Sequence, residues 1–135
     1  MVIRIYDSGY RGDCRLERYE QIDCASWLKY NFPERWPLIL HIPNEASGRG
    51  SSHLQTRIKE GVKTGASDIL DLNKLPGIFE LKRLDRTKSK VGKEQREFLQ
   101  AADEAGHFAA IVYGFSEFKK AYADYLSFVA EKRLT

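Results

Sequence analysis

Asp68, Glu80 and Lys82 are the residues of this 135-residue chain whose types and spacing suggest chemistry. Residues i and i+2 of a β-strand point to one face, so Glu80 and Lys82 project together if GIFELKR (77–83) is extended. SDILDLN (67–73) precedes it, and a hairpin through Lys74-Leu75-Pro76 would bring Asp68 alongside. Two converging carboxylates are costly unless a cation neutralises them. Mg²⁺ or Mn²⁺ suits such a pair, because a hard cation takes a few carboxylates, water and phosphate oxygens. It would polarise a phosphoryl group and acidify a bound water. A nearby lysine would orient that water or stabilise the developing charge. The competing reading is an ordinary ion pair on a solvated strand face, which contributes little. Glu-x-Lys tripeptides are frequent, so the surrounding sequence must decide.

Several elements would position these residues. Residues 13–32 read as a helix with Leu16, Tyr19, Cys24 and Trp27 at helical spacing, ended by Pro33 and Pro37. PLILHIPN (37–44) reads as a buried strand. EASGRGSS (45–52) reads as a loop and 53–60 as a short helix. Lys93 to Ala105 is predicted as a helix with Phe98, Leu99, Ala102 and Ala105 inward and Gly106 just past its end. HFAAIVYGF (107–115) has the continuous apolar character of a strand buried on both faces. Ser116 would cap a last helix with Phe118, Tyr122, Tyr125, Leu126 and Val129 inward. The first dozen residues would make a short edge strand or an arm. This order predicts one α/β domain around a mixed sheet of about four strands.

The blocks also resemble a known family. HIPNE (41–45), GVKTGASDILDL (61–72), GIFELKR (77–83) and KEQREFLQAADEAGHFAAIVYGF (93–115) are similar, in order, to the conserved blocks of the VRR-NUC domain. That family is the virus-type replication-repair branch of the PD-(D/E)XK nucleases. The resemblance spans about Glu17 to Leu126 and implies a restriction-endonuclease-like core of αβββαβα order, with a domain core of about 14–130. It implies catalytic roles for Asp68, Glu80, Lys82 and Gln95. It implies metal ligation by Asp68, Glu80, the backbone carbonyl of Leu81 and a first-helix glutamate. Glu17 fits the family's spacing to Gln21, with Glu20 as the alternative. Ser67 stands where the family commonly has proline, and serine still permits an extended backbone.

The activity implied is that of a Mg²⁺- or Mn²⁺-dependent, structure-specific endonuclease. Compact stand-alone members of the family, viral or prophage-like, are associated with homodimers that resolve four-way DNA junctions. A two-fold dimer suits the symmetric cutting of opposed strands. Cleavage of flaps, cleavage at one defined sequence, or a silent DNA-binding domain of the same fold are the alternatives.

Basic residues crowd the stretch from Lys82 to Arg96, within a net charge of +3. Such a run is either a solvated face or a phosphate-binding strip. Lys88, Lys90 and Lys93 are expected to contact DNA backbone. Asn44 reads as a turn former or a backbone contact. Arg49 and His53 would touch phosphate or solvent, His41 would be a satisfied core histidine, and His107 structural. Cys14 and Cys24 read as free thiols, since their spacing fits neither CxxC chemistry nor zinc. No apolar run approaches membrane-span length, and an intracellular, cytoplasmic protein is expected.

Overall fold

A computed structural model describes residues 3–42 and 69–134. The expected short helix at 53–60 and the loop at 45–52 lie outside the described residues. The order is β1 (Arg4–Tyr6), α1 (Glu17–Asn31), a 3-10 turn (Trp36–Leu38), β2 (Ile39–His41), β3 (Ile69–Asp71) and β4 (Gly77–Lys82). A second 3-10 turn (Arg86–Lys88), α2 (Lys93–Glu104), β5 (Phe108–Tyr113) and α3 (Phe115–Leu134) follow. The strands form one sheet in the order β1-β5-β4-β3-β2. β5 runs parallel to both β1 and β4, while β3 is antiparallel to β4 and β2 to β3.

The mixed α/β architecture is the expected one, with five strands rather than about four. The added strand is β1, whose Arg4, Ile5 and Tyr6 pair with Ala110, Ile111 and Val112. Three residues carry too short an alternation to distinguish a strand from an arm. β5 is buried along its whole length, as its unbroken apolar run requires.

One face of the sheet presents Phe79, Leu81, Phe108, Ala110 and Val112 to Cys24 and Leu28 of α1 and to Phe118, Tyr122, Tyr125 and Val129 of α3. Trp27 meets Phe32, Phe115, Phe118 and Tyr122 edge-on, at centroid separations of 5.3–6.2 Å. Such edge-to-face contacts satisfy the ring quadrupoles. The aromatic stripe of α3 is consumed here, so it offers no surface to a second subunit. The other face packs Ile78, Ala109, Ile111 and Tyr113 against Leu99 and Ala102 of α2.

Several local expectations are corrected. α1 begins at Glu17, not at Asp13. Its inward residues are Glu20, Cys24 and Leu28, while Leu16 and Tyr19 are about half exposed. An acidic residue stands in the buried stripe because Arg15 and a backbone N–H receive it. The segment at 37–44 supplies only the short edge strand β2 among the described residues, with Leu38 and Leu40 exposed. His41 is likewise exposed rather than a core histidine. Ser116 lies inside α3, which opens at Phe115. α2 ends as expected: Gly106 takes φ +92°, its N–H bonds Asp103 O, and His107 N–H bonds Ala102 O, both at 3.0 Å. That pair of bonds is a Schellman cap.

Gly77 opens β4 under the ring of Tyr125, where an added Cβ would lie 2.8 Å from Cε1. Neither the ring nor the strand has room to yield. Gly77→Ala is therefore expected to cost about 1–3 kcal/mol through overpacking, read as a lower midpoint in urea unfolding.

Candidate functional site

Glu80 and Lys82 project from β4 on the face packed by α2, since Phe79 and Leu81 belong to the aromatic face. They are 1% and 7% exposed, which removes the reading of a solvated surface pair. Lys82 Nζ stands 3.4 Å from Glu80 Oε2. Gln95 joins them: its Nε2 donates to Glu80 Oε2 at 3.0 Å, and its Oε1 accepts from Lys82 Nζ at 3.4 Å.

Gln95 is oriented by the helix start. It occupies the third position of α2, and its Oε1 also accepts from Gly92 N–H at 2.8 Å. This is the reciprocal half of a capping box; Gly92 has no side chain to make the other half. Gly92 N–H thereby fixes which end of the amide faces Glu80. A carboxylate, an ammonium and an amide thus share one buried site built from one strand and one helix terminus.

The helix that carries the first-helix acids, α1, packs against the other face of the sheet. Glu20 accepts from Arg15 Nε and Nη2 at 2.9 and 3.0 Å, and from Phe115 N–H at 2.8 Å. Its two oxygens bind α1 to the start of α3, next to Gly114, whose N–H bonds Lys82 O at 3.0 Å. Glu20 therefore reaches the Lys82 end of the sheet as a structural group. Glu17 opens α1 and is half-buried. Gln21, on the same side of the helix, lines a small cavity with Leu28, Trp36, Ile39, His41 and Ile69. Its Oε1 is buried with no hydrogen-bond partner among the described residues.

Asp68, Asn44, Arg49 and His53 lie outside the described residues. Among the described residues no three His, Cys, Asp or Glu side chains gather closely enough to hold a metal ion.

No family model matches the chain, and no curated protein matches it in sequence. A solved structure described as a VRR_NUC domain protein superposes on it with a TM-score of 0.67. The match covers 86% of this chain and 92% of that one, at 18% identity. The chain has the VRR_NUC fold. Glu80 and Lys82 stand on β4, the strand at the centre of its mixed five-stranded sheet.

The basic stretch leaves β4 of this VRR_NUC core and is divided in its contacts. Arg83 donates to the carbonyls of Cys14 and Arg15 at 2.7 and 3.1 Å. Arg86 lies 3.8 Å from Asp7, and Lys88 3.8 Å from Asp13. Lys90, Lys93 and Arg96 are exposed.

Two structural carboxylates were not singled out by sequence reasoning. Asp85 accepts from Gly12 N–H, Thr87 N–H and Thr87 Oγ1 at 2.7–2.9 Å. The Asp-x-Thr turn pattern was its available signal. The Gly12 N–H, then the Thr87 hydroxyl, hold its carboxyl down at about 2. A depressed carboxyl contributes stability that is complete above its unfolded value, near 4, and is lost as pH falls through 2. Proteolysis of the arm at residues 7–16 is expected to accelerate as pH falls through that window, and Asp85→Asn to remove the step. The second carboxylate, Asp71, is fully buried on the aromatic face. Its Asp-x-Asn turn with Asn73 is local, but its other partners, Arg35 and Tyr122, come from distant elements.

Proposed function

We propose that this chain is a metal-dependent nuclease acting on DNA. The observation that carries the reading is the buried Glu80–Lys82–Gln95 site on the central sheet of a VRR_NUC fold. Buried ionisable groups in close contact concentrate at functional sites. Asp68 is joined by one peptide bond to Ile69, and Ile69 pairs with Phe79, the neighbour of Glu80. On that adjacency in sequence Asp68 is the proposed second carboxylate of the site.

The donor set fits a hard cation. The lone pairs at the site are oxygens, those of the Glu80 carboxylate and the Gln95 amide, with no thiol or imidazole; the Lys82 ammonium is a neighbouring charge and not a ligand. Mg²⁺ or Mn²⁺ prefers such surroundings. Glu80 and Asp68 would hold it, with the Leu81 carbonyl as a further proposed ligand; Glu17 stands on α1, which packs against the opposite face of the sheet, and would join only by reaching round the end of β4. Bound there, the cation supplies charge neutralisation at the phosphate and a more acidic water. The Lys82 ammonium places positive charge where the phosphate gains negative charge. Gln95 holds the carboxylate of Glu80 against rotation. In the hydrolysis, water oxygen forms a bond to phosphorus, and the bond to one ester oxygen breaks. A proton lost by the water is balanced by one gained at the leaving oxygen.

We further propose that a homodimer acts on branched DNA, with a four-way junction as the preferred substrate. A two-fold pair of sites cuts opposed strands symmetrically. Incubation with Mn²⁺ and a synthetic junction, a flap and a duplex tests both levels. Symmetric junction cleavage is expected. Preference for the flap would overturn the junction reading, and three uncut substrates would overturn the nuclease reading.

Gln95→Ala is expected to lower cleavage by about 10–100-fold, the usual effect of losing a group that orients a metal-binding carboxylate. The accompanying loss of the Gly92 bond costs about 1 kcal/mol. A manganese titration of the cleavage rate would show a raised half-saturating concentration. An unchanged value would limit Gln95 to helix capping.

A further inference from the structure

We infer that the basic stretch after β4 is two surfaces: Lys90, Lys93 and Arg96 contact the backbone of a nucleic acid, while Arg83 and Arg86 hold the 7–16 arm in place. The inference rests on the nuclease reading and refines which cations face its substrate.

The division follows from what each cation touches. Arg83 spends two of its guanidinium nitrogens on the carbonyls of Cys14 and Arg15. Arg86 is held between Asp7 and the face of Tyr113, 5.4 Å from the ring centroid. Lys88 reaches Asp13. Asp85, lying between Arg83 and Arg86, adds a carboxylate bond to Gly12 N–H at 2.8 Å. Residues 7–15 are therefore fastened to 83–88, most firmly through Arg83 and Asp85. Lys88, expected to contact DNA, is the loosest of the group, since Asp13 is fully exposed at 3.8 Å from it.

The second group differs. The side chains of Lys90 and Arg96 carry no hydrogen bond or ion pair among the described residues. Lys93 meets Glu97 at 3.9 Å, with both side chains more than half exposed. So exposed a pair is readily exchanged for a phosphate. Lys93 and Arg96 stand three residues apart on one helix, and Gln95, between them, donates to Glu80. These exposed cations therefore flank the helix terminus that closes the buried site. Glu94 and Glu97 lie on the same helix and dilute its field. The partner that fits is thus one that meets cations singly, at regular spacing, as a phosphodiester backbone does. Such contacts position a strand and do not read sequence.

The test is the salt dependence of DNA binding by the full chain, measured by fluorescence anisotropy on a labelled junction in EDTA. Each phosphate deprived of its cation flattens the slope of log K against log salt by about 0.9. The triple variant Lys90→Ala, Lys93→Ala, Arg96→Ala is expected to flatten the slope by about 2–3, with an unchanged melting temperature. Arg83→Ala and Arg86→Ala are expected to keep the slope and to melt lower, with faster proteolysis at residues 7–16. Arg86→Lys retains charge without the planar stacking and serves if either alanine variant fails to fold. A slope carried by Arg83 and Arg86 instead would overturn the division and leave the nuclease reading standing. Absence of any binding by the unaltered protein would overturn both.

Discussion

Glu80→Gln is expected to abolish metal-dependent cleavage, by about 10³-fold or more, while leaving junction binding in EDTA intact. The scale is that of removing a group whose charge acts at the reacting phosphate. The substitution keeps the volume of Glu80 and removes the negative charge that neutralises Lys82, 3.4 Å away. That leaves a buried ammonium facing two amides, and an uncompensated buried charge costs about 3–5 kcal/mol. Inactivity alone could therefore reflect unfolding. The double variant Glu80→Gln with Lys82→Met separates the two effects. Methionine fills the lysine's space without a charge, so the pair should recover stability, as buried ion pairs replaced by apolar groups commonly do. Activity should remain absent. Recovery of cleavage in the double variant would show that Glu80 and Lys82 serve the fold and not the chemistry.

The face shared by Glu80 and Lys82 was legible because a strand's side-chain period is two and nothing distant can change it. Their burial was not, because it depends on α2, a helix later in the chain, closing over β4. The helix itself was readable from its apolar spacing and from Gly106. The strand β5 was readable for the same kind of reason: six consecutive apolar residues cannot all be buried unless both sheet faces are covered. The roles of Glu20 and Asp71 were not legible. Beyond its near neighbour Arg15, Glu20 is satisfied by Phe115 N–H, 95 positions away; beyond Asn73, Asp71 is satisfied by Tyr122, 51 positions away. Long-range partners decide whether a carboxylate is a ligand or a brace, and spacing within one helix carries no record of them. β2 shows the converse error. An apolar run bounded by prolines reads as buried, yet at a sheet edge its leucines stay exposed.

The largest effect on stability is expected at Asp71. Tyr122 Oη donates to its Oδ2 at 2.6 Å, and Asn73 donates to Oδ1 through its backbone and side-chain nitrogens at 3.0 and 2.7 Å. Arg35 reaches both carboxylate oxygens at 3.3 Å, and donates to Tyr122 and Tyr125 Oη at 3.2 and 3.0 Å. The network ties β3 to α3 and to the turn after α1. Burial, and then the bond to Asp71, raise the Tyr122 hydroxyl's pKa, so it remains a donor. Asp71→Ala strands Arg35 and the Tyr122 hydroxyl, at a cost of about 3–5 kcal/mol. For a chain of this length that lowers the melting temperature by about 10 °C or more. Tyr122→Phe removes one donor while Arg35 and Asn73 remain, so its cost should be only about 1–2 kcal/mol. Asp71 lies on the sheet face opposite Glu80. The folded fraction of Asp71→Ala should therefore cleave at the normal rate per molecule, measured well below its melting temperature. A variant of full stability would show that the network is dispensable. A stable but inactive one would place Asp71, not Glu80, in the chemistry.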